Sequence, residues 1–210
     1  MIFCKNMIED IKKSVLSGLM ICVGGTVYLS CVAVGLKPLG AFLFAAGLYT
    51  ICTYGFNLYT GKVGYIANQF KNTKYLRLVL LTLVFNLLST YIFGILAAYA
   101  FPLISEPAKT IYDAKFQTPL LRLFISGIFC GLLMFLSVDT WKKGSKIGVF
   151  IYIPVFILCG FDHSIANSFY NGVANGINAF TLQNFLIFLV VILGNAAGGM
   201  IIPLLTRTKE

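Results

Sequence analysis

The chain has 210 residues, of which 59% are hydrophobic and only 11% charged. A soluble domain carries about a quarter charged side chains, so too few polar groups remain here to cover a water-facing surface, and most of the exterior must face lipid. The net charge of +9 could suit a nucleic-acid partner, but the basic residues lie between apolar runs and form no basic–aromatic stripe, so no nucleic acid is expected and the charges read as loop residues beside a membrane.

Residues 1–14 are mixed in charge and read as an N-terminal cytoplasmic segment. The apolar run 15–35 is longer than a signal-peptide core and no A-x-A site follows it, so it reads as a retained first helix. A bilayer core about 30 Å thick needs roughly 20 apolar residues in a helix. Further runs at 39–58, 76–101, 120–138, 147–159 and 185–205 meet or approach this length. The second ends in a mixed stretch, 57–69. The fifth is short and continues as a polar–aromatic stretch to Tyr170. The expectation is an all-α membrane protein with six transmembrane helices over 15–206 and a cytoplasmic tail at 207–210.

With both termini inside, twelve basic residues fall in cytoplasmic parts, including Lys12, Lys13, Lys62, Lys74, Arg77, Lys142, Lys146, Arg207 and Lys209. Four fall outside: Lys37, Lys109, Lys115 and Arg122. This asymmetry predicts cytoplasmic termini. Residues of about 15–101 and 119–206 each form a continuous, an interrupted and another continuous segment. Three crossings per half force opposite orientations, so the halves read as inverted repeats with a midplane site at the interrupted second and fifth helices. No residue-level repeat supports this; it rests on hydropathy.

Four constellations carry chemistry. Thr60-Gly61 in the stretch 56–62 fits two readings equally: a re-entrant loop presenting its hydroxyl and backbone N–H groups to an anion, or an interfacial turn at a helix end. His163 is the only histidine. A titratable group at membrane depth usually faces a cavity, although helix–helix hydrogen bonding is the plainer role. Helical spacing puts His163 and Asn167 on one face and Asp162 elsewhere, which argues against an Asp–His catalytic pair. Gly194 and Gly198 form a GxxxG pattern for close helix approach, with Asn195 as a candidate pore-facing donor. Lys115, seven residues before Arg122, is either a snorkelling interfacial residue or part of a positive vestibule. All six cysteines but Cys4 sit in apolar runs without a CxxC motif or a Cys/His cluster, so no metal or other cofactor is expected. Hydrolase, P-loop and dinucleotide signatures are absent, and a transporter rather than an enzyme is expected.

Gly160-Phe161-Asp162-His163-Ser164-Ile165-Ala166-Asn167 resembles the fifth-helix signature of the formate/nitrite transporter family, Gly-Phe/Tyr-Glu-His-Ser-x-Ala-Asn. Gly194 to Gly199 matches the sixth-helix Gly-Asn-x-x-Gly-Gly. Residues 57–62 partly match the second-helix Glu-Leu-Phe-Thr-Gly-Asn. The resemblance spans nearly the whole chain. It implies an aquaporin-like fold, a homopentamer with one pore per protomer, and a bacterial plasma-membrane location. It places Thr60 in the loop interrupting helix two, His163 as the central pore histidine, Asn167 and Asn195 beside it, and Lys115 in the outer vestibule. By spacing from the motifs, Leu48 and Leu58 match the inner constriction and Phe44 and Phe156 the outer one. Departures fall at Asp162 and Asn57, where the family has Glu, at Lys62, where it has Asn, at Gly131, where it has a pore-side Asn, and around Asn86, where Phe85 and Ser89 replace glycines.

The partners implied are the lipid bilayer, small monovalent weak-acid anions such as formate, nitrite or hydrosulfide, and protons. An ion without partners is costly in an apolar ring, so proton donation by His163 would let a neutral acid cross. The alternatives are a neutral-solute pore of the water or glycerol kind, a membrane-embedded redox subunit, and a structural or assembly protein.

Overall fold

Hydropathy sets the number of crossings, but backbone chemistry sets where two of them break. The computed structural model describes residues 2–206, with the side chains of 6–178 and 180–206. Among these residues the helices are α1 (Ile2–Ala33), α2 (Lys37–Tyr54), α3 (Tyr59–Lys62), α4 (Thr73–Ala100), α5 (Ser105–Phe116), α6 (Leu120–Lys142), α7 (Ile147–Leu158), α8 (Ser164–Asn175) and α9 (Leu182–Leu205). Short 3₁₀ turns follow α3, α4 and α8. Four helices are long and apolar enough to cross a membrane alone: α1 from Asn6, α4, α6 and α9. The fifth crossing is α2 with the segment Tyr59–Asn68, bent by 58° at its break. The sixth is the shorter apolar α7, resumed by α8 after a break at 159–163. The expected six helices with interrupted second and fifth members are all present. Arg207 and Lys209 lie outside the described residues.

The two breaks are built alike. Gly55 and Gly160 adopt left-handed φ of 66° and 71°, a region that costs glycine nothing and other residues more. In each, the following residue donates its N–H five positions back, Phe56 to the carbonyl of Ile51 and Phe161 to that of Phe156, both at 2.9 Å. This is the Schellman ending of a helix. The chain then extends through Asn57-Leu58 or Asp162-His163 before the half-helix begins. Thr60 and Gly61 were expected inside the interruption of helix two. They instead belong to the turn of α3 that follows it, because Gly55, not Gly61, takes the conformation that ends α2.

Each half-helix packs on the opposite repeat. α8 lies against α4, and the turn Val63–Asn68 lies against α9. Within the repeats, α1 packs on α2 and α4, and α6 on α7 and α9; α2 meets α7 between them. Small residues make these approaches possible. A Cβ on Gly198 would stand 1.9 Å from the Ile128 carbonyl oxygen, a backbone atom that cannot rotate away. α5 links the repeats and packs on α8. The outward face of α4 is apolar at every fourth residue, with Leu80, Val84, Leu88, Ile92 and Leu96 all exposed, as a lipid-facing helix requires.

Gly198→Val should destabilise the α6–α9 contact by about 1–3 kcal/mol, the usual cost of overpacking, while Leu80→Ala on the lipid face should shift stability little. Thermal unfolding in detergent measures both. Equal midpoints for the two variants would contradict the packing account.

Candidate pore

His163 is the last extended residue before α8 (φ −100°, ψ 112°). Its Nδ1 accepts the Ala166 N–H at 3.1 Å, so the side chain caps the helix it precedes. A ring nitrogen that accepts carries no proton. The neutral imidazole therefore holds its proton on Nε2, which lies 2.9 Å from Thr60 Oγ1. Both side chains are buried. One face of the ring stacks on Phe156 at 5.6 Å between centroids, and Phe156 meets Phe44 edge-on at 6.4 Å.

Two cavities flank this polar pair. On the face that carries the amino terminus, a cavity of about 420 Å³ is walled by Leu48, Leu58, Lys62, Trp141 and Lys142, among others. Neighbouring Asn57 ties that end to α1, donating from its backbone to Lys13 (3.2 Å) and from its side chain to Asp10 (3.3 Å). On the far face, a cavity of about 150 Å³ is walled by Lys37, Lys115, Phe156, His163 and Asn167. Of the residues expected at the constrictions, Leu48 and Leu58 line the first cavity, Phe156 lines the second, and Phe44 packs on Phe156.

Lys115 does not stand free in the vestibule. It forms an ion pair with Asp162, with side-chain exposures of 12% and 5%. Asp162 also accepts from Ser126 Oγ at 2.7 Å and from Asn167 Nδ2 at 3.1 Å. A buried carboxylate is stable only with such partners. The Asp162 carboxylate bonds Lys115, Ser126 and Asn167; because residues 162 and 163 are extended rather than helical, Asn167, expected away from Asp162, reaches it.

Asn195, expected as a pore-facing donor, is fully buried and has no donor capacity left. Its Oδ1 accepts the Ser164 N–H at 2.9 Å. Its Nδ2 donates to the carbonyls of Gly127 (2.9 Å) and Asp162 (2.8 Å). Asn86 does the same for the other break: Oδ1 accepts from Tyr59 N–H at 2.9 Å, and Nδ2 donates to Ser14 (2.8 Å) and Asn57 (3.0 Å) carbonyls. Asn86 was noted only as a remnant of an altered motif. The signal that could have found it is the short likeness of Gly55-Phe56-Asn57 to Gly160-Phe161-Asp162, which aligns the two breaks and which hydropathy does not bring out. Gly131 also gains a physical reason. A Cβ there would lie 2.2 Å from the Asn195 carbonyl oxygen, so this helix approach excludes the amide that the family carries.

The family described as "Formate/nitrite transporter" matches residues 5–208. The chain belongs to the formate/nitrite transporter family. No curated protein matches it significantly in sequence. Among solved structures, one titled "FNT family ion channel" superposes with a TM-score of 0.79 at 20% identity, covering 95% of this chain and 88% of the other. Another, "Pentameric formate channel with formate bound", gives 0.77 at 22% identity and covers 95% of each. The fold of this transporter is therefore that of its family, with the paired breaks at its centre.

Asn86→Ala and Asn195→Ala should each lower stability by about 2–4 kcal/mol, since each strands buried backbone groups at one break. Detergent thermal unfolding reads this, and a large loss at one position with none at the other would refute the equivalence of the two breaks.

Proposed function

We propose that the protein passes small monovalent weak-acid anions across a membrane, with formate, nitrite and hydrosulfide as candidate substrates. The observation that carries this reading is the Thr60–His163 pair, a hydroxyl and an Nε2–H with a cavity on either side. An apolar ring cannot solvate a bare charge, and a donor pair at the midpoint offers the one polar stop between two dry steps. Membership of the formate/nitrite transporter family and the likeness to a formate-bound channel support the substrate class. The pentameric state of that likeness supports a homopentamer. The expected setting is a bacterial plasma membrane with both termini in the cytoplasm and the transport unit over 15–206. The cavity beside Lys62 then faces the cytoplasm and the one beside Lys115 faces outward.

The hydrogen bonds sharpen the role of His163. A neutral imidazole that donated its only proton would become an anion, so proton donation requires the imidazolium. Its Nδ1 is occupied in accepting the Ala166 N–H, and protonation must first release that cap. In the capped state the single Nε2–H faces Thr60 Oγ1, and His163 donates to the permeant by exchanging that hydroxyl for it. The proton that neutralises the acid is supplied from water in the vestibules.

In proteoliposomes, Thr60→Val should reduce formate flux roughly tenfold, the worth of one lost hydrogen bond at a transition point, and His163→Phe should reduce it further. Wild-type flux from either variant would remove the polar pair from the mechanism. The neutral fraction of a carboxylic acid rises about tenfold for each unit by which pH falls above its pKa. Formate flux should therefore climb as pH is lowered from about 7.5 to about 6.5, and a flat or inverted profile would show that the bare anion crosses.

A further inference from the structure

The charges of the two vestibules are not alike. On the far face, Lys115 is neutralised by Asp162; Lys37 lines the cavity beside His163, and Arg122 lines an adjoining cavity of about 560 Å³ whose wall also holds Asp162. The amino-terminal cavity is almost three times larger than the one beside His163, and among the described residues Lys62 and Lys142 line it with no carboxylate in its wall. Neither lysine makes an ion pair among the described residues. Asp139, one turn from Lys142, is held by Lys143 at 2.7 Å. The other charges acting on Lys62 are Asp10 and Lys13, and Asp10 belongs to α1 rather than to the cavity wall. Lys142 is fixed over the Tyr65 ring at 3.5 Å and Lys146 over the Trp141 ring at 3.6 Å. These cation–π contacts hold positive charge at the rim.

Two unpaired ammonium groups around one chamber call for a counter-anion, and a half-buried one such as Lys62 most of all. With one water occupying about 30 Å³, the chamber has room for a partly hydrated oxyanion. Its floor is the Leu48–Leu58 constriction. The desolvation cost of an ion scales with the square of its charge, so a dianion meets about fourfold the barrier of a monovalent ion there. A weak-acid monoanion escapes that barrier by taking one proton, whereas a phosphate or sulfate dianion needs two.

We propose that this chamber is a binding site for divalent oxyanions, held between Lys62 and Lys142, and that an occupant blocks the pore from the amino-terminal face. The blocking half rests on the transport reading above; the binding half does not. Inorganic phosphate and sulfate share the chemistry and are the probes.

Trp141 is the only tryptophan of the chain and lines the chamber, so its fluorescence reports occupancy in the purified full-length protein. Titration with sodium phosphate or sodium sulfate, at ionic strength held constant with sodium chloride, should give a saturable change in the wild type. Lys62→Gln and Lys142→Gln should each weaken the apparent affinity about tenfold. Formate flux into proteoliposomes loaded with phosphate on both sides should fall in the wild type and recover, relative to each variant's own phosphate-free rate, in the two glutamine variants. No saturable Trp141 signal in the wild type would overturn the site. So would an unchanged signal in Lys142→Gln, whose exposed side chain can be replaced without disturbing the core, whether or not Lys62→Gln folds. Saturable binding with undiminished wild-type flux would overturn the block while leaving the site, and a loss of all formate transport would fall on the transport reading alone.

Discussion

Two buried asparagine amides hold the structure open at its centre. A helix that stops inside a membrane leaves N–H and C=O groups without partners, and lipid offers none. Asn86 and Asn195 each accept the first N–H of a half-helix and donate to a carbonyl of the break and to one of the adjoining long helix. Everything distinctive about the pore follows from this. Because the breaks are satisfied, Leu58 and His163 can be extended rather than helical. An extended His163 can cap α8 with Nδ1 and so aim Nε2 at Thr60.

The glycines serve the same arrangement at one remove. The Asn195 amide reaches α6 because α9 lies close to it, and that closeness excludes a Cβ at Gly131 and Gly198. The α6–α9 contact thus does two jobs through one distance: it buries apolar surface and it brings Asn195 within reach of the Gly127 carbonyl. A larger side chain in the contact would loosen both, so packing and pore geometry are not separable properties here.

The crossings, the broken second and fifth segments and the family were legible in the sequence, because apolar run length and the His163 and Gly194–Gly199 motifs are local signals. The break in helix two was misplaced by five residues' worth of chain. Thr60-Gly61 looked like the disruption, yet a glycine in a short helix is tolerated while a left-handed φ is what ends one, and Gly55 carries it. Asn195 was read as a donor to the pore because an amide in a membrane segment signals polar contact; nothing local says that the contact is backbone. Lys115 was read as free charge, and its neutralisation by Asp162 depends on α5 packing against α8. The helix α5 itself is too polar and short to register as a crossing.

The exchange of half-helices between repeats makes each half depend on the other. The segment Tyr59–Asn68 docks on α9, which follows every other described helix along the chain. Without α9 the amino-terminal repeat has its own break satisfied by Asn86 but an entire flank without its neighbour. The first three crossings therefore cannot complete the pore by themselves, because its polar pair also needs His163, which the second repeat supplies.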